Sequence, residues 1–241
     1  MTRIFSFALG TIRQWTKSKN RNILIKYAKK LDISGVEITF ATKEELYSFK
    51  LSKNNKLWLR RLSYITIHAP FKLIRASKNK EEIIRQLNII SNLYNDIKAK
   101  CVIIHPTDLP PPKILRQYNF TIATENLAKR KHITIRDLKK NFKKYPKIKL
   151  CLDVSHAYLW SKYETNNLIK AFKNKISLIH FSGTYRNKEH QPLKNITKDF
   201  LSSIQPIKKL KVPIIIEEDI KIKNLKFVKE EIKIIKKLIN L

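Results

Sequence analysis

Short apolar runs alternate along the chain with longer segments in which apolar positions recur every three or four residues. A short apolar run is typical of a strand buried on both faces, and the longer period is typical of an amphipathic helix. Eight runs are predicted to be strands, at residues 3–9, 35–40, 64–68, 101–105, 120–125, 148–153, 177–181 and 212–217.

The segments between these runs predict helices that each turn an apolar face toward the sheet. Proline is tolerated in the first turn of a helix, so residues 110–112 are predicted to begin a short one. The segment 43–61 is predicted to be helical with a break near 53–55. Further helices are predicted at 20–30, 80–98, 134–144, 165–173, 197–208 and 225–241.

Strands that alternate with helices are typical of parallel sheets with right-handed crossovers. Eight such units predict a single α/β domain over residues 1–241, a (βα)8 TIM barrel. An open, doubly wound sheet is the alternative, but it normally brings a glycine-rich phosphate loop after its first strand. Gly10 stands alone at that point, so the closed barrel is favoured.

The composition, 43% apolar and 10% aromatic, indicates an ordered globular chain. The apolar stretch 4–9 is too short for a membrane span and lacks a signal-cleavage pattern, so a soluble, cytoplasmic protein is expected. Cys101 and Cys151 fall in predicted strands and have no C-x-x-C partner, so we expect reduced, buried thiols and no thiolate zinc site.

Residues of the types that bind metals stand at the carboxyl ends of six predicted strands, and His190 lies in the loop after the seventh. In a TIM barrel these ends converge on the catalytic face. The structural alternative at the sixth strand is that Asp153 caps the next helix and His156 is a satisfied polar residue in its first turn. The residues at the strand ends are His68, His105, Glu125, Asp153 with His156, His180 and Glu217.

Imidazoles and carboxylates without thiolates suit zinc, manganese or iron. The number of these groups predicts two or more ions that share a bridging carboxylate. Two ions about 3.5 to 4 Å apart can activate a water and stabilise both oxygens of an in-line displacement at phosphorus. A two-ion centre of this kind would be suited to hydrolysis of a phosphodiester.

Between residues 35 and 219 the set resembles the endonuclease IV family of abasic-site endonucleases, within the xylose-isomerase-like barrel superfamily. The resemblance implies a DNA-cutting enzyme with two or three Zn²⁺ ions, or Mn²⁺, and with Glu125 and Glu217 as catalytic carboxylates. It assigns one ion to His68, His105 and a bridging Glu125. It assigns a second ion to Glu125, Asp153, His180 and Glu217.

The chain departs from that family at the third ion, which the family holds with the histidine of D-x-x-H and a D-x-H pair in the seventh loop. His156 and His190 are present, but Lys188 stands where the aspartate should be and would repel a cation. Glu189 is the substitute that the sequence offers. The tyrosine that follows the first metal histidine in the family is Phe71 here.

Two alternatives remain open at this point. A sugar or sugar-phosphate isomerase or epimerase of the same superfamily would hold one ion at the second set, with its two glutamates as acid and base. His156 and Arg186 would then orient substrate hydroxyls, and the short spacing from His180 to His190 favours this interpretation. The other alternative is a non-catalytic nucleic-acid-binding barrel whose site has decayed, as Lys188 suggests.

The net charge of +32 attracts polyanions, although basic residues also crowd helix surfaces such as Lys139 and Lys140, which a genome-wide lysine bias would explain. The expected substrate is abasic duplex DNA, bound by a monomer with no membrane or protein partner. Aromatic residues predicted to stack on bases or fill an abasic gap are Trp15, Phe40, Phe71 and Tyr185. Basic residues predicted to bind phosphates are Lys72, Arg75, Arg130, Lys131, Arg186, Lys188 and Lys194.

Overall fold

Eight parallel strands close into a barrel in a computed structural model that describes residues 3–193, 196–222 and 224–240, except the side chains of residues 14, 15 and 240. The barrel order is β1-β10-β7-β6-β5-β4-β3-β2, so the last barrel strand pairs with the first. The strands are β1 Phe5–Ala8, β2 Gly35–Thr39, β3 Tyr64–His68, β4 Cys101–Ile104, β5 Ile122–Glu125, β6 Lys149–Asp153, β7 Ile176–Phe181, β8 Gly183–Tyr185, β9 Lys188–Gln191 and β10 Ile214–Ile216. All eight predicted strands and the closed barrel are confirmed.

Helices connect successive strands on the outside of the barrel, as the sequence predicted. Within the described residues, none is long and apolar enough to cross a lipid bilayer. The helices are α1 Arg13–Thr16, α2 Arg21–Ala28, α3 Lys43–Tyr47, α4 Lys53–Leu59, α5 Lys80–Ile97, α6 Pro112–Leu115, α7 Ile135–Lys144, α8 Val154–Tyr158, α9 Glu164–Phe172, α10 Lys198–Ile204 and α11 Leu225–Asn240.

The break in the second helical segment lies elsewhere than predicted. The side chain of Ser52 accepts a hydrogen bond from the backbone N–H of Asn55 at 3.4 Å, so Ser52 caps α4 and residues 53–55 form its first turn. The chain is non-helical between α3 and this cap. The predicted break at 53–55 is therefore wrong.

A layer of small and apolar side chains fills the barrel lumen. It forms a cluster separate from the larger core, which lies between the strands and the helices. Side chains two positions apart on a strand face the same side. Five members of the layer each stand two residues before a predicted metal ligand, so they face the same side of their strand as that ligand. The layer comprises Ala8, Cys101, Ile103, Ala123, Cys151, Leu178 and Ile215.

The two cysteines of this layer are free and buried, as predicted. Burial raises the pKa of the Cys101 thiol to about 12 and holds that of Cys151 well above its ordinary value. Both groups are therefore protonated at neutral pH, and a protonated thiol is a poor metal ligand.

The seventh loop contains a small antiparallel hairpin, β8 and β9, which the sequence did not predict. Arg186 and Asn187 link its strands, and both have positive φ angles, 49° and 59°. Two such residues between paired strands are typical of a type I′ turn. A Cβ on Gly183 would lie 2.9 Å from the carbonyl oxygen of Gln191, so glycine permits the close approach of the two strands.

Candidate metal centre

The predicted metal ligands meet at one end of the barrel. His68, Glu125 and Asp153 end their strands, and His180 is the next-to-last residue of β7. His105 and Glu217 come directly after β4 and β10, where the chain leaves the sheet. His156 lies in α8 and His190 in β9.

The first ligand group consists of His68, His105 and Glu125, each with a ligand atom within 4.8 Å of the others. Oε2 of Glu125 lies 3.7 Å from Nε2 of His68 and 3.7 Å from Nε2 of His105. Burial and, to a smaller extent, the neighbouring His68 lower the pKa of His105 to about 4. His105 is therefore a neutral imidazole, the form that binds metals.

The second group consists of Glu125, Asp153, His180 and Glu217. Nδ1 of His180 lies 2.7 Å from Oε2 of Glu217 and 3.2 Å from Oε1 of Glu125. Glu125 thus directs Oε2 toward the first group and Oε1 toward the second. This is the arrangement of a carboxylate that can bridge two ions.

The third group consists of Asp153, His156 and His190, again within 4.8 Å of one another. Glu189, the substitute that the sequence offered, instead forms an ion pair with Arg130. Lys188 is exposed on β9. The carboxylate of the third group is therefore Asp153, which also belongs to the second group.

Asp153 combines the two roles that the sequence left as alternatives. Its Oδ1 accepts hydrogen bonds from the backbone N–H of His156 at 2.6 Å and from Oγ of Ser155 at 2.8 Å, so it caps α8. Its Oδ2 is buried without a hydrogen-bond partner among the described residues. A buried, unpaired carboxylate oxygen is costly, and a metal ion would satisfy it.

The electrostatic state of the groups also fits a cation. Although burial raises the pKa of Glu125, the imidazole of His180 and hydrogen bonds from His156, His180 and His68 hold it well below its ordinary value. Burial likewise raises the pKa of Glu217, but His180 lowers it to about 2. Both carboxylates are therefore charged at neutral pH.

A further carboxylate, Glu37, lies in the lumen beside the second group and was missed by the sequence reasoning. Its Oε2 lies 3.3 Å from Nε2 of His180. The sequence does contain a sign of this residue, because an acidic side chain stands between Val36 and Ile38 inside an apolar strand. Side chains alternate along a strand, so Glu37 faces the side opposite both neighbours.

A cavity of about 860 Å³ opens above the ligand groups, with Glu125, His156 and Glu217 in its walls. Four of the predicted phosphate-binding residues line it, whereas Arg186 and Lys188 lie exposed on the β8–β9 hairpin. Lys194 lies outside the described residues. Lining residues that were predicted are Lys72, Arg75, Arg130 and Lys131; those that were missed are Arg13, Lys17, Lys19 and Arg21.

Several of the arginines are neutralised. Arg75 pairs with the buried Asp108 at 2.6 Å, and Arg13 and Arg21 share Glu45. Among the described residues, no ion-pair partner is found for four lysines of the cavity. The free cations of the rim are therefore Lys17, Lys19, Lys72 and Lys131.

The predicted stacking residues differ in accessibility. Phe71 lines the cavity, is 37% exposed, and stacks on His105 with ring centroids 5.5 Å apart. Tyr185 is exposed on the hairpin, beneath the Arg186 guanidinium. The prediction for Phe40 is wrong, because this ring is fully buried against Phe49. The Trp15 side chain lies outside the described residues.

No family model matches the chain, and no curated protein matches it. Solved structures do match. A D-tagatose 3-epimerase-like protein has a TM-score of 0.70 at 18% identity, covering 98% of this chain and 96% of its own. Endonuclease IV from Thermus thermophilus has a TM-score of 0.68 at 15% identity, covering 98% of each chain.

A xylose isomerase domain containing protein from Salmonella typhimurium has a TM-score of 0.71 at 14% identity, covering 100% of this chain and 98% of its own. At these identities the likeness establishes the fold alone, a closed (βα)8 TIM barrel. The names of the matching structures include a nuclease and sugar-converting enzymes.

Proposed function

We propose that this barrel of the xylose-isomerase-like fold is a metal-dependent phosphodiesterase that cuts DNA beside abasic sites. The observation that carries the proposal is Glu125, whose two oxygens face two separate sets of imidazoles. A two-ion centre is suited to in-line displacement at phosphorus, whereas the isomerase alternative would use one ion, at the second group. His68 and His105 have no role in the one-ion alternative.

The ligand groups assign a task to each side chain. His68, His105 and Glu125 would hold one divalent ion, and Glu125, Asp153, His180 and Glu217 a second. When bound, Zn²⁺ or Mn²⁺ would supply Lewis-acid activation of a water and charge neutralisation at the phosphate. Glu125, which belongs to both groups, would orient the attacking water. Glu217, whose side chain is 17% exposed against 2% for Glu125, faces the cavity and would be the more accessible of the two carboxylates to a bound substrate.

The rim supports a polyanionic substrate. Lys17 and Lys19 come from the first loop, and Lys72 and Lys131 from the third and fifth, so free cations stand on several sides of the cavity. Such contacts hold backbone phosphates without reading the base sequence. Phe71 offers an exposed ring that stacks on His105. This ring would fill the gap that the missing base leaves in an abasic strand.

The test is metal content by elemental analysis of protein purified without chelator, together with incision of an abasic duplex before and after EDTA. We expect two or three ions per chain and incision that EDTA abolishes. His105→Ala should lose one ion and the incision together, and an intact duplex of the same sequence should stay uncut. A single ion, no incision and conversion of a ketose would overturn the proposal.

A sugar isomerase or epimerase is the second candidate, because Glu125, Asp153, His180 and Glu217 alone complete a one-ion site. The hydroxyl-orienting role expected for Arg186 is not supported, since that residue is exposed on the hairpin turn. Proton exchange between a ketose and solvent, lost in Glu217→Gln, would favour this candidate. The third hypothesis, a decayed site, predicts no bound metal, whereas all three ligand groups lie within coordinating reach.

A further inference from the structure

We propose that Glu37 is a positioning residue that holds His180 with Nδ1 directed at the second ligand group. Glu37 lies on β2 and is completely buried in the lumen. Its Oε2 is 3.3 Å from Nε2 of His180. The inference rests on metal binding at the second group, which the nuclease and isomerase candidates share, and does not depend on DNA as the substrate.

The two ring nitrogens of His180 face different partners. Nδ1 points toward the carboxylates of the second group, 2.7 Å from Glu217 and 3.2 Å from Glu125, whereas Nε2 points toward Glu37. A neutral imidazole carries one N–H and one lone pair. An acceptor at Nε2 keeps the N–H on that nitrogen, so the lone pair of Nδ1 is left for an ion.

Glu37 is itself held in place by the neighbouring strand. Its Oε2 accepts a hydrogen bond from Oγ1 of Thr66 at 2.8 Å, and the two residues are register partners of β2 and β3. Thr66 is fully buried, and two positions further along the same strand is the metal ligand His68. One cross-strand pair therefore lies directly beneath both ligand groups.

The burial of Glu37 has no evident value for packing alone. Its Oε1 has no hydrogen-bond partner among the described residues, and an apolar side chain in the lumen would avoid that cost. A carboxylate behind a metal-binding histidine orients the ring and makes the opposite nitrogen a stronger donor. That effect accounts for a carboxyl group at this buried position.

The experiment isolates the second group with His105→Ala, which removes a ligand of the first group, and His190→Ala, which removes a ligand of the third. Zn²⁺ affinity is measured by competition with a chromophoric chelator in this background, with and without Glu37→Gln. We expect Glu37→Gln to weaken Zn²⁺ binding about 10- to 100-fold. The matched control is Glu231→Gln, another buried carboxylate, on α11, which accepts from the backbone N–H of Leu193 and belongs to no ligand group. It should leave the affinity unchanged.

A second readout reports the hydrogen bond directly. In the zinc-loaded protein with His105→Ala and His190→Ala, the Nε2 proton of His180 should resonate downfield and exchange slowly with water. Glu37→Gln should move it upfield. If circular dichroism shows that Glu37→Gln does not fold, Thr66→Val takes its place as the test. We expect this variant to bind Zn²⁺ more weakly and to show a shifted Nε2 proton resonance. Unchanged affinity and an unchanged resonance in the folded variant would overturn the inference.

The outcomes also separate this inference from the proposed function. Failure of the unmodified protein to bind any Zn²⁺ would overturn both. Zn²⁺ binding that weakens in Glu37→Gln, in a protein that leaves abasic DNA intact, would uphold the role of Glu37 and overturn the DNA substrate alone.

Discussion

Asp153 accepts a 2.6 Å hydrogen bond from the backbone N–H of His156, so one residue of the ligand groups caps the helix that carries another. The local fold of this turn and the ligand geometry therefore depend on the same side chain. The cap uses Oδ1, while Oδ2 is left for an ion. A substitution that removes the charge of Asp153 but keeps the shape of its side chain can separate the capping role from metal binding.

Asp153→Asn should keep the cap, because asparagine caps helices as well as aspartate does, and should lose most of the metal binding. Asp153→Ala should lose both, at a further cost of about 1 kcal/mol in the free energy of unfolding. Denaturant unfolding in EDTA measures the first effect and zinc titration the second. Equal stabilities of the two variants without metal would contradict the capping role.

Metal binding should strengthen as the pH rises. Burial lowers the pKa of His156, but the carboxylates of Asp153 and Glu125 raise it more, to about 9. An ion must displace this proton, so affinity should increase up to about pH 9 and binding at pH 7 should release protons. Titration calorimetry in buffers of different ionisation enthalpy measures that release. A pH-independent affinity between 6 and 9 would contradict the assignment of His156 as a ligand.

The metal-free protein should show the opposite trend. The pKa of His156 is above the ordinary value of 6.5 in the folded chain, so the charged imidazole favours folding. This stabilisation is complete below the unfolded pKa and is lost as the pH rises through about 9. Unfolding in EDTA across this range should therefore show falling stability. His156→Gln, which cannot be protonated, should lack this component of the decline.

Lys188→Asp should create a tighter third site. Lys188 lies on β9 two residues before His190, at the position where the endonuclease IV family carries an aspartate. Replacing its charge with a carboxylate should raise the occupancy of the third group, as measured by zinc per chain at limiting metal. Arg186→Asp, on the adjacent turn, makes the same change of charge and is the control. Equal gains in both variants would indicate a general electrostatic effect instead of a new ligand.

DNA binding should depend on the lysines of the cavity rim and not on basic residues in general. Lys19→Ala, Lys72→Ala and Lys131→Ala should each weaken binding to an abasic duplex and reduce the salt slope by about 0.9 per lost phosphate contact. Lys139→Ala, an exposed lysine on α7, removes the same charge away from the cavity. Equal losses from Lys139→Ala would support lysine bias as the origin of the charge.

The barrel was predictable from sequence because its signal is periodic. Each strand is an apolar run, and each ligand stands at a strand end, so position along the run was enough to bring His68, Glu125, Asp153 and His180 together. The same alternation could have corrected the prediction for Phe40. Thr39 and Glu37 lie on one side of β2, so Phe40 lies with Ile38 on the other, and both are fully buried.

What the sequence did not predict depends on contacts between distant segments. The β8–β9 hairpin is short, polar and built on two residues with positive φ, so it has no apolar pattern. Lys17 and Lys19 line the cavity because the first loop brings them there. No metal-ligand residue stands at the end of the first strand, so no sequence pattern indicated their position. The pairing of Glu189 with Arg130 joins loops that are 59 residues apart in the chain.

The buried thiols of the lumen layer affect how firmly the centre can keep its ions. Cys151 lies two residues before Asp153 on the same strand, and a thiolate there would bind zinc more tightly than any oxygen donor. Neither cysteine belongs to the three ligand groups of the described residues, so the ions would be held by nitrogen and oxygen donors alone. Ions held by nitrogen and oxygen donors exchange more readily than ions held by thiolates. The identity of the bound metal should therefore depend on which metals are available around the protein.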